Sequence, residues 1–529
     1  MQLTKENTSS DEVTGTYHVG NLVLDHFNTP EDHVWQIDAG TGEVEMKSSV
    51  KSRSIQLARC LRNAGLKPGD VVAVSGVNHL DAHIPFYAGY LNGLPITGID
   101  PFYEVKVVLN ITKPKLAFCE ASKLADYERA ARDLGLEIRI VTFGASDRSY
   151  ADFVKTYDDH APDTEFRVAS FDTQKVYAWL ISTSGTTGLP KVAAIKHSDV
   201  IKAVKLGALV KQQERVPLLN LSSTHWITSY ISTLSVITSD QYKVQTSSPQ
   251  TIEHIIDIIN KYKKGGCYAR CFYWVPLTSA RMRPDSVIWN LFAQTECVGS
   301  ILMPAPHGPP GNCGQELPSA VPLVDPKTGE VITEPNRMGE LCTKGPKLTE
   351  YFNNPEATAA AFTPDGWYKT GDLLYRDEEG FFFYVERMSS SFRYRNYFIT
   401  PFELELLIQE HPGVLDVCVV GVPHPEDGKQ ALACVQTRPG FTLTEQDVKD
   451  FVAGKLSDPK HLHGGVIFVE DFPRTVAGKI ARGKVYDFVL EVRKAVSEYP
   501  CSGNTKKLIS SFQRLFTTSN DRTVSTGRH

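Results

Sequence analysis

The stretch "VYAWLISTSGTTGLPKVAAIKH", residues 176–197, decides the fold, because a strand signal runs directly into a glycine-rich loop. Its first six residues form a short β-branched and aromatic run. The loop then offers hydroxyls, flexible glycines and one cation: Thr183, Ser184, Gly185, Thr186, Thr187, Gly188 and Lys191. Glycine lets a ligand approach the backbone closely, and consecutive bare N–H groups form an anion nest. The stretch therefore predicts a polyphosphate clamp at the mouth of a parallel sheet.

Two other interpretations of this loop make different demands on the sequence. A P-loop requires the pattern G-x-x-x-x-G-K-[ST], but Lys191 follows a proline and precedes a valine. The composition alone is typical of a mobile Ser/Thr/Gly surface loop. Only the order of the residues favours phosphate binding over a surface loop.

Strand and helix signals alternate on the N-terminal side of the loop. Apolar residues recur at helical spacing in residues 50–66 and 83–94, and short β-branched runs occupy residues 70–77, 113–120 and 137–143. Strands that alternate with helices of ordinary length imply parallel βαβ units. We expect an α/β fold with a large N-terminal region of doubly wound mixed sheets.

Two regions with different patterns follow the loop on its C-terminal side. Between residues 311 and 345 the strand signals become closely spaced and are separated by turns, which predicts a β-rich subdomain. After Arg387, residues 400–414 predict a helix with Thr400 as N-cap and Pro401 as its first residue. Buried-strand patterns and a capped helix at 444–456 follow, as in a smaller, mobile α+β domain.

These patterns predict four segments. We expect a flexible N-terminus over residues 1–20, a large domain over 21–387, a small α+β domain over 388–497 and a flexible tail over 498–529. The hinge between the two domains is predicted at 387–389.

Composition excludes several classes of protein. The 529 residues carry a formal net charge of −5, which argues against a nucleic-acid-binding arm or a patch for anionic membranes. There is no run of about 18 or more apolar residues and no signal peptide core, so we expect an intracellular protein, cytosolic by default, that is monomeric or weakly self-associating. The ten cysteines do not resemble a disulfide framework, and Cys267 and Cys271 lack zinc-site spacing.

Three motifs, in a fixed order, resemble one family. "TSGTTGLPK" at 183–191, "GWYKTGDLLYRDEEGFFFYVERM" at 366–388 and "FPRTVAGKIAR" at 472–482 are similar to the signatures of the adenylate-forming superfamily. That superfamily includes acyl-CoA and aryl-CoA synthetases, 4-coumarate:CoA ligases and beetle-type luciferases. Some of its members end in a peroxisomal Ser-Lys-Leu address; this chain ends in "STGRH", which leaves peroxisomal import by another route open.

The resemblance implies a set of ATP and AMP contacts. They fall on the loop, a Thr-Glu pair, an aspartate and an arginine: Thr183, Ser184, Gly185, Thr186, Thr187, Gly188, Lys191, Thr295, Asp372 and Arg387. Asp372 would hold the ribose hydroxyls, and Arg387 would open the hinge. Taken alone, Asp372 is more typical of a Gly-Asp turn or a cap than of a ligand site, and the Thr295–Glu296 pair also fits a helix-terminal cap.

The resemblance also assigns the reacting groups. Lys479 would bridge the acyl carboxylate and the α-phosphate, with Thr187 in the catalytic set and Glu296 as the Mg²⁺ ligand. Outside its motif, Lys479 is typical of a solvated surface lysine. Attack of one anion on another needs charge neutralisation more than acid–base catalysis, which these groups and Mg²⁺ would supply.

Two further pairs complete the expected site. His225 and Trp226 lie where the family lines its acyl pocket, although a core or surface histidine fits position 225 nearly as well. Arg395 and Asn396 lie on the face that the family turns toward coenzyme A for thiolation. The resemblance therefore predicts an acid:CoA ligase for a fatty or aryl acid, with ATP, Mg²⁺ and coenzyme A. A catalytically impaired member that serves as a binding or scaffold protein, and light emission from a luciferin adenylate, are the alternatives.

Four positions depart from the family pattern. The segment from 263 to 293 is too short for the family's strand and adenine-binding Gly-Gly-Ala loop. A truncated transcript would also explain this shortening. Val192 replaces a glycine after the loop lysine and would be strained if that backbone required a positive φ. Ser389 replaces a charged hinge residue. Asn396 replaces a glycine beside the CoA tunnel, and asparagine tolerates a left-handed backbone better than most residues.

Overall fold

A computed structural model describes most of the chain. The described residues are 16–99, 105–183, 191–207, 215–238, 241–262, 292–305, 307–316, 322–345, 347–388, 390–395, 397–474 and 480–498. They divide into two compact units. Unit 1 comprises Met1–Val321 and Thr343–Tyr368, and unit 2 comprises Pro322–Cys342 and Lys369–His529. The domain boundaries predicted from the sequence remain predictions.

A seven-stranded mixed sheet, the main sheet, organises unit 1. Its strands in spatial order are β18 (Glu350–Tyr351), β8 (Lys191–Lys196), β7 (Tyr177–Thr183), β4 (Ile96–Gly98), β3 (Val72–Val74), β5 (Leu116–Glu120) and β6 (Arg139–Phe143). The five strands from β7 to β6 are parallel, whereas β8 runs antiparallel to its two neighbours, β7 and β18. Because helices connect the parallel strands, β3 is buried at every residue, and its continuous apolar run follows from that burial.

Unit 1 also holds a second, four-stranded sheet and two short hairpins. The sheet order is β2 (Val44–Met46), β1 (Val34–Asp38), β10 (Gln241–Gln245) and β9 (Val216–Leu219). The hairpins pair β11 (Ala293–Gln294) with β12 (Gly299–Ser300), and β13 (Leu302–Met303) with β14 (Asn312–Glu316). The helices of this unit are α1 (Val19–Phe27), α2 (Lys47–Asn63), α3 (Ile84–Asn92), α4 (Val105–Thr112), α5 (Leu124–Leu134), α6 (Tyr150–Tyr157), α7 (His197–Gly207), α8 (Ile227–Thr238), α9 (Ile252–Lys261) and α10 (Pro355–Ala361).

Unit 2 contains two sheets. The first has the order β20 (Phe381–Arg387), β19 (Tyr368–Arg376), β17 (Gly339–Thr343), β15 (Leu323–Val324) and β16 (Val331–Ile332). The second runs β22 (Tyr397–Ile399), β21 (Phe392–Tyr394), β24 (Gly428–Thr437) and β23 (Val414–His424), with β25 (Gly465–Val469) also on β24. Its helices are α11 (Pro401–Gln409), α12 (Glu445–Ala453) and α13 (Arg482–Glu498).

The architecture confirms the fold class expected from the sequence. Parallel βαβ units build the large N-terminal region, and an α+β arrangement builds the smaller C-terminal one. Local signals are confirmed in part: α11 begins at Pro401 after Thr400, but the Thr400 side chain makes no capping hydrogen bond and the helix ends at Gln409. Thr444 forms a reciprocal capping box with Asp447. Within the described residues, no helix combines the length and the hydropathy that crossing a bilayer requires.

Val192 does not need the backbone of the glycine it replaces. It lies within β8 opposite Ser182 and is absent from the described residues with positive φ. Its side chain is 1% exposed and packs with Val71 and Leu180. A β-branched residue suits this pleated, buried position, because its branched side chain packs well against its neighbours there.

Replacing Val192 with glycine should therefore destabilise unit 1. Loss of the buried side chain and the greater backbone entropy of glycine together cost about 2–4 kcal/mol. Chemical unfolding measures this change in the transition of unit 1. Val44→Gly is the matched control, because Val44 lies in β2 of the same unit and is 51% exposed, so only the backbone part of about 1 kcal/mol is expected. Equal losses in the two variants would contradict the packing role of Val192.

Lys243 is a buried cation at the centre of the four-stranded sheet. It lies on β10 between β1 and β9, it is fully buried, and Nζ has no hydrogen-bond partner among the described residues. Burial lowers the pKa of Lys243 from 10.5 to about 7, partly opposed by the charge of Glu45. The charge of Lys243 in turn helps to lower the pKa of the buried His83, after burial itself.

The lowered pKa makes stability depend on pH. Between about pH 7 and 10.5 the unfolded chain binds a proton at Lys243 that the folded chain does not, so the free energy of unfolding rises with pH. Lys243→Met should stabilise unit 1 by about 1–4 kcal/mol at pH 7, and this gain should shrink toward pH 10. Unfolding curves across this pH range test it, with the exposed Lys67→Met as control. A gain that stays constant with pH would contradict the lowered pKa.

Candidate active site

The predicted phosphate loop begins and ends on paired strands of the main sheet. Thr183 closes β7, Lys191 opens β8, and the two residues lie opposite each other in the antiparallel register. The loop between them, with the predicted site residues Ser184, Gly185, Thr186, Thr187 and Gly188, lies outside the described residues. Its two ends are thus fixed by sheet hydrogen bonds at the carboxyl end of β7.

His225 and Trp226 lie at the same edge of this sheet. A Cβ at Gly98, the last residue of β4, would be 2.2 Å from the carbonyl oxygen of Thr224 and 2.5 Å from the Cα of His225. The segment is also fixed by Thr224 Oγ1, which donates to the carbonyl of Val74 at 3.3 Å. Because β4 and β7 are parallel neighbours, this segment and the start of the phosphate loop lie outside the same strand ends.

The two rings differ in accessibility. Their centroids are 5.0 Å apart, and His225 Nδ1 is 2.9 Å from the hydroxyl of Ser223. Trp226 is 38% exposed, which is unusual for an indole and leaves an apolar surface at the edge where ligands bind in open α/β sheets. This geometry suits a wall for an apolar group.

Tyr351 connects a cation and a carboxylate that are distant in sequence. The Lys191 Nζ lies 4.9 Å from the Tyr351 ring centroid, and the Tyr351 hydroxyl donates to Glu296 Oε1 at 2.9 Å. The pairing of β18 with β8 sets this geometry, because Tyr351 lies opposite Ala193. The contacts place the predicted phosphate-binding lysine over the face of the Tyr351 ring and the predicted Mg²⁺ ligand at its hydroxyl. We call these three residues the Tyr351 cluster.

The segment that carries Glu296 is short and strained. Thr295–Cys297 forms one turn of 3₁₀-helix, and Val298 follows it with φ of 54° and ψ of 27°. A β-branched residue in the left-handed region is an outlier that costs on the order of 1–3 kcal/mol. The backbone is held in place by Leu348, whose N–H donates to the carbonyl of Glu296 at 2.6 Å. Strain of this kind is typical of functional segments.

Asp372 and Arg387 face each other in unit 2. They are paired residues of β19 and β20, and Arg387 Nε lies 3.0 Å from Asp372 Oδ1. Arg387 also donates from Nη1 to the carbonyl of Thr370 at 2.8 Å. The Asp372 side chain is 5% exposed and that of Arg387 is 39% exposed, so the carboxylate is held inside while the guanidinium reaches solvent.

The turn before Asp372 depends on Gly371 and a second carboxylate. Gly371 has φ of 70°, and its N–H donates to Glu340 Oε1 at 3.0 Å. Burial raises the pKa of Glu340, partly opposed by this hydrogen bond. The backbone of the predicted ribose site is therefore oriented by a residue that the sequence motifs do not mark.

Arg395 lies at the turn between β21 and β22, and it has φ of 51°. Its Nε donates to Asp427 Oδ1 at 2.7 Å, and this hydrogen bond lowers the pKa of Asp427. In this hairpin the described residue with the left-handed backbone is therefore Arg395. Asn396, the position at which a left-handed backbone was expected, lies outside the described residues.

The remaining predicted positions also lie outside the described residues. They are the catalytic Lys479, the hinge residue Ser389, the cysteines Cys267 and Cys271, and residues 263–291 of the shortened adenine segment. Tyr351 was missed from the sequence because no local spacing links it to Lys191 or Glu296, and only the long-range pairing of a two-residue strand brings them together.

Two protein-family models match the chain. The model described as "AMP-binding enzyme" matches residues 48–264, and "AMP-binding enzyme C-terminal domain" matches residues 403–479. The first match contains the main sheet except β18, and the second contains β23, β24 and β25 of unit 2, in the order that the motifs predict.

Curated relatives and solved structures agree with these matches. Luciferin 4-monooxygenase of Photinus pyralis is 27% identical over 487 residues, covering 83% of this chain and 88% of the relative. Peroxisomal OPC-8:0-CoA ligase 1 of Arabidopsis thaliana is 28% identical over 498 residues, covering 84% and 89%. The crystal structure of ATP-bound MatB from Rhodopseudomonas palustris shares the fold with a TM-score of 0.77 at 21% identity, covering 88% and 98%.

Tyr351→Phe tests the Tyr351 cluster. The phenyl ring keeps its contact with Lys191, but the hydrogen bond to Glu296 is lost, which should destabilise unit 1 by about 1–2 kcal/mol. Because Glu296 then loses a group that orients it, Mg²⁺-dependent ATP binding should weaken roughly tenfold, or about 1.4 kcal/mol. Chemical unfolding and calorimetric titration measure the two effects.

Tyr177→Phe is the matched control. The Tyr177 hydroxyl donates to Glu350 within the same sheet, so its loss should cost a similar stability but leave ATP binding unchanged. If the two variants bind ATP equally well, Tyr351 has no role beyond packing.

Proposed function

This chain belongs to the adenylate-forming superfamily, and from that premise we propose that it activates a fatty or aryl acid with ATP and transfers the acyl group to coenzyme A. In the first step a carboxylate oxygen attacks the α-phosphorus, pyrophosphate leaves, and an acyl adenylate forms. In the second step the thiol attacks the acyl carbon and AMP leaves. The name of the Arabidopsis relative, a CoA ligase, supports coenzyme A as the acceptor.

The Tyr351 cluster is the observation that carries this proposal. Attack of a carboxylate on a polyphosphate brings two anions together, so the site needs positive charge more than it needs an acid or a base. Lys191 stands at the end of the phosphate loop, 4.9 Å from the Tyr351 ring, where it can bind the departing phosphates. Tyr351 orients the Glu296 carboxylate through its hydroxyl group.

Glu296 fits the requirements of a Mg²⁺ ligand. Mg²⁺ prefers carboxylate oxygens together with substrate phosphates and water. The Glu296 side chain is only partly buried, and its carboxylate accepts a hydrogen bond at Oε1, which fixes its direction. When bound, Mg²⁺ neutralises charge on the phosphates.

Asp372 and Arg387 supply the proposed nucleotide contacts of unit 2. A buried carboxylate is a strong acceptor for ribose hydroxyls, and the Arg387 Nε lies 3.0 Å from Asp372 Oδ1. The half-exposed guanidinium can exchange this partner for another when the lid domain rotates. Arg387 is therefore proposed as the hinge residue as well as the partner of Asp372.

The remaining groups act on the acid and the thiol. His225 and Trp226 are the proposed wall for the apolar part of the acid, because they lie at the carboxyl end of the main sheet. Lys479 is the proposed bridge between acid and α-phosphate. Arg395, with Asn396 beside it, is the proposed cation for the thiolation step, held by Asp427.

Lys479→Met tests whether Lys479 acts in the adenylation step and not in the thiolation step. Loss of the bridging cation should lower pyrophosphate release on mixing ATP, Mg²⁺ and acid roughly 10²–10³-fold. Conversion of a supplied acyl adenylate and coenzyme A to acyl-CoA should change little, because Lys479 acts in the first step only. Lys484→Met is the control, because this lysine is exposed in the same region.

Two results would overturn the proposal. A folded sample that releases no pyrophosphate with any member of a fatty and aryl acid panel would support the scaffold alternative. Release of pyrophosphate without any acyl-CoA product would retain adenylation but reject coenzyme A as the acceptor.

A further inference from the structure

Asp458, His461 and His463 of unit 2 converge outside the proposed active site. One ligand atom from each lies within 4.8 Å of the other two. His461 Nδ1 is 3.8 Å and His463 Nε2 is 3.6 Å from Asp458 Oδ1. Two ligands bound at about 2.0–2.1 Å in a tetrahedral site lie roughly 3.4 Å apart, so these separations need only a small contraction. We propose that these three residues bind a divalent transition metal ion, with zinc as the reference case.

The His461 ring is already oriented as a ligand. Its Nε2 lies 2.9 Å from the carbonyl oxygen of Leu456, which can only accept a hydrogen bond. Nε2 must therefore carry the proton of the neutral ring, and Nδ1 keeps its lone pair on the side of Asp458. A second-shell carbonyl that fixes the tautomer in this way is typical of metal-ligating histidines.

His463 needs one change before it can bind a metal ion. Its Nε2 lies 2.8 Å from the carbonyl oxygen of Asp458, so this nitrogen is protonated in the absence of metal. Metal binding must move that proton to Nδ1 or release it. The ring plane itself is fixed, because it stacks on Tyr394 with centroids 4.9 Å apart and an interplanar angle of 6°.

The donor set selects the class of ion. Two imidazoles and one carboxylate suit Zn²⁺, Co²⁺, Ni²⁺ and Cu²⁺, whereas Mg²⁺ prefers an all-oxygen shell. Three protein ligands leave a position for water. Both imidazole side chains are 27% exposed and the carboxylate is 68% exposed, so an ion can enter without unfolding the segment.

The site is adjacent to the hairpin that carries Arg395. Tyr394, which stacks on His463, directly precedes Arg395, and the Asp458 charge acts on that arginine. A bound cation would neutralise Asp458 and hold the Tyr394 ring. An effect of zinc on the thiolation step would follow from this, but that effect rests on the proposed function, whereas metal binding does not.

Metal binding can be measured on the full chain without ATP, so that the proposed Mg²⁺ site does not contribute. After chelation and dialysis, equilibrium dialysis with Zn²⁺ should give saturable binding, with one more ion per wild-type chain than per His461→Gln/His463→Gln chain. Asp458→Asn should weaken this binding roughly tenfold or more. Co²⁺ should give a visible d–d absorption band in the wild type that the double variant lacks.

The controls separate metal binding from loss of structure. Glutamine at 461 can still donate to the Leu456 carbonyl, so the metal-free single variant His461→Gln should melt at the wild-type temperature. Zinc should raise the melting temperature of the wild type but not that of the double variant. His160→Gln is the matched control, because His160 is an exposed histidine whose Nδ1 lies 3.1 Å from Asp158 Oδ2 without a second imidazole.

The outcomes are distinct from those that test the ligase proposal. Saturable zinc binding that the double variant loses and His160→Gln retains would support the site, whether or not the chain activates any acid. Equal zinc stoichiometry and affinity in the wild type and the double variant, or no saturable binding to the wild type, would overturn it.

Discussion

The pairing of β18 with β8 is the constraint on which the arrangement of unit 1 depends. It attaches residues 343–368 to the edge of a sheet that was built from the first two hundred residues. Only two residues form the strand, but the Thr349 and Phe352 N–H groups extend the ladder by donating to the carbonyls of Ala194 and Val192. This register determines where the Tyr351 ring lies, and through it the positions of Lys191 and Glu296 relative to each other.

The described carboxylates of the site are held by three kinds of donor. Glu296 accepts from a phenol, Asp372 faces a guanidinium, Glu340 accepts from a backbone N–H, and Asp427 accepts from the Arg395 guanidinium. Charged and neutral donors hold a carboxylate with different strength, so these carboxylates differ in how readily they can change hydrogen-bond partner. A phenol fixes direction without neutralising the charge, which suits a residue that must still attract a cation. A guanidinium compensates the charge, which suits a carboxylate that must stay ionised inside the protein.

The sequence predicted the elements better than it predicted the contacts between them. Buried β-branched runs such as Val72–Val74 have a local signature, and so do the caps at Thr400 and Thr444, because the forces that form them act within a few residues. The pairing of Asp372 with Arg387 depends on the register of β19 and β20, which no single motif specifies. The burial of Lys243 was equally hidden, because "QYKVQ" is polar and its burial comes from parallel neighbours on both sides.

Gly98 has a consequence for how this protein can diversify. The segment that bears His225 and Trp226 lies against the backbone of β4, since even one methyl group at position 98 would collide with the carbonyl of Thr224. This close approach, together with the hydrogen bond from Thr224 to Val74, sets the height of the segment without the side chains at 225 and 226. Exchanges at 225 and 226 therefore alter the surface at this edge of the sheet while the backbone beneath it keeps its position. Under the proposed function, selection for a new acid acts on two side chains without a change in the scaffold.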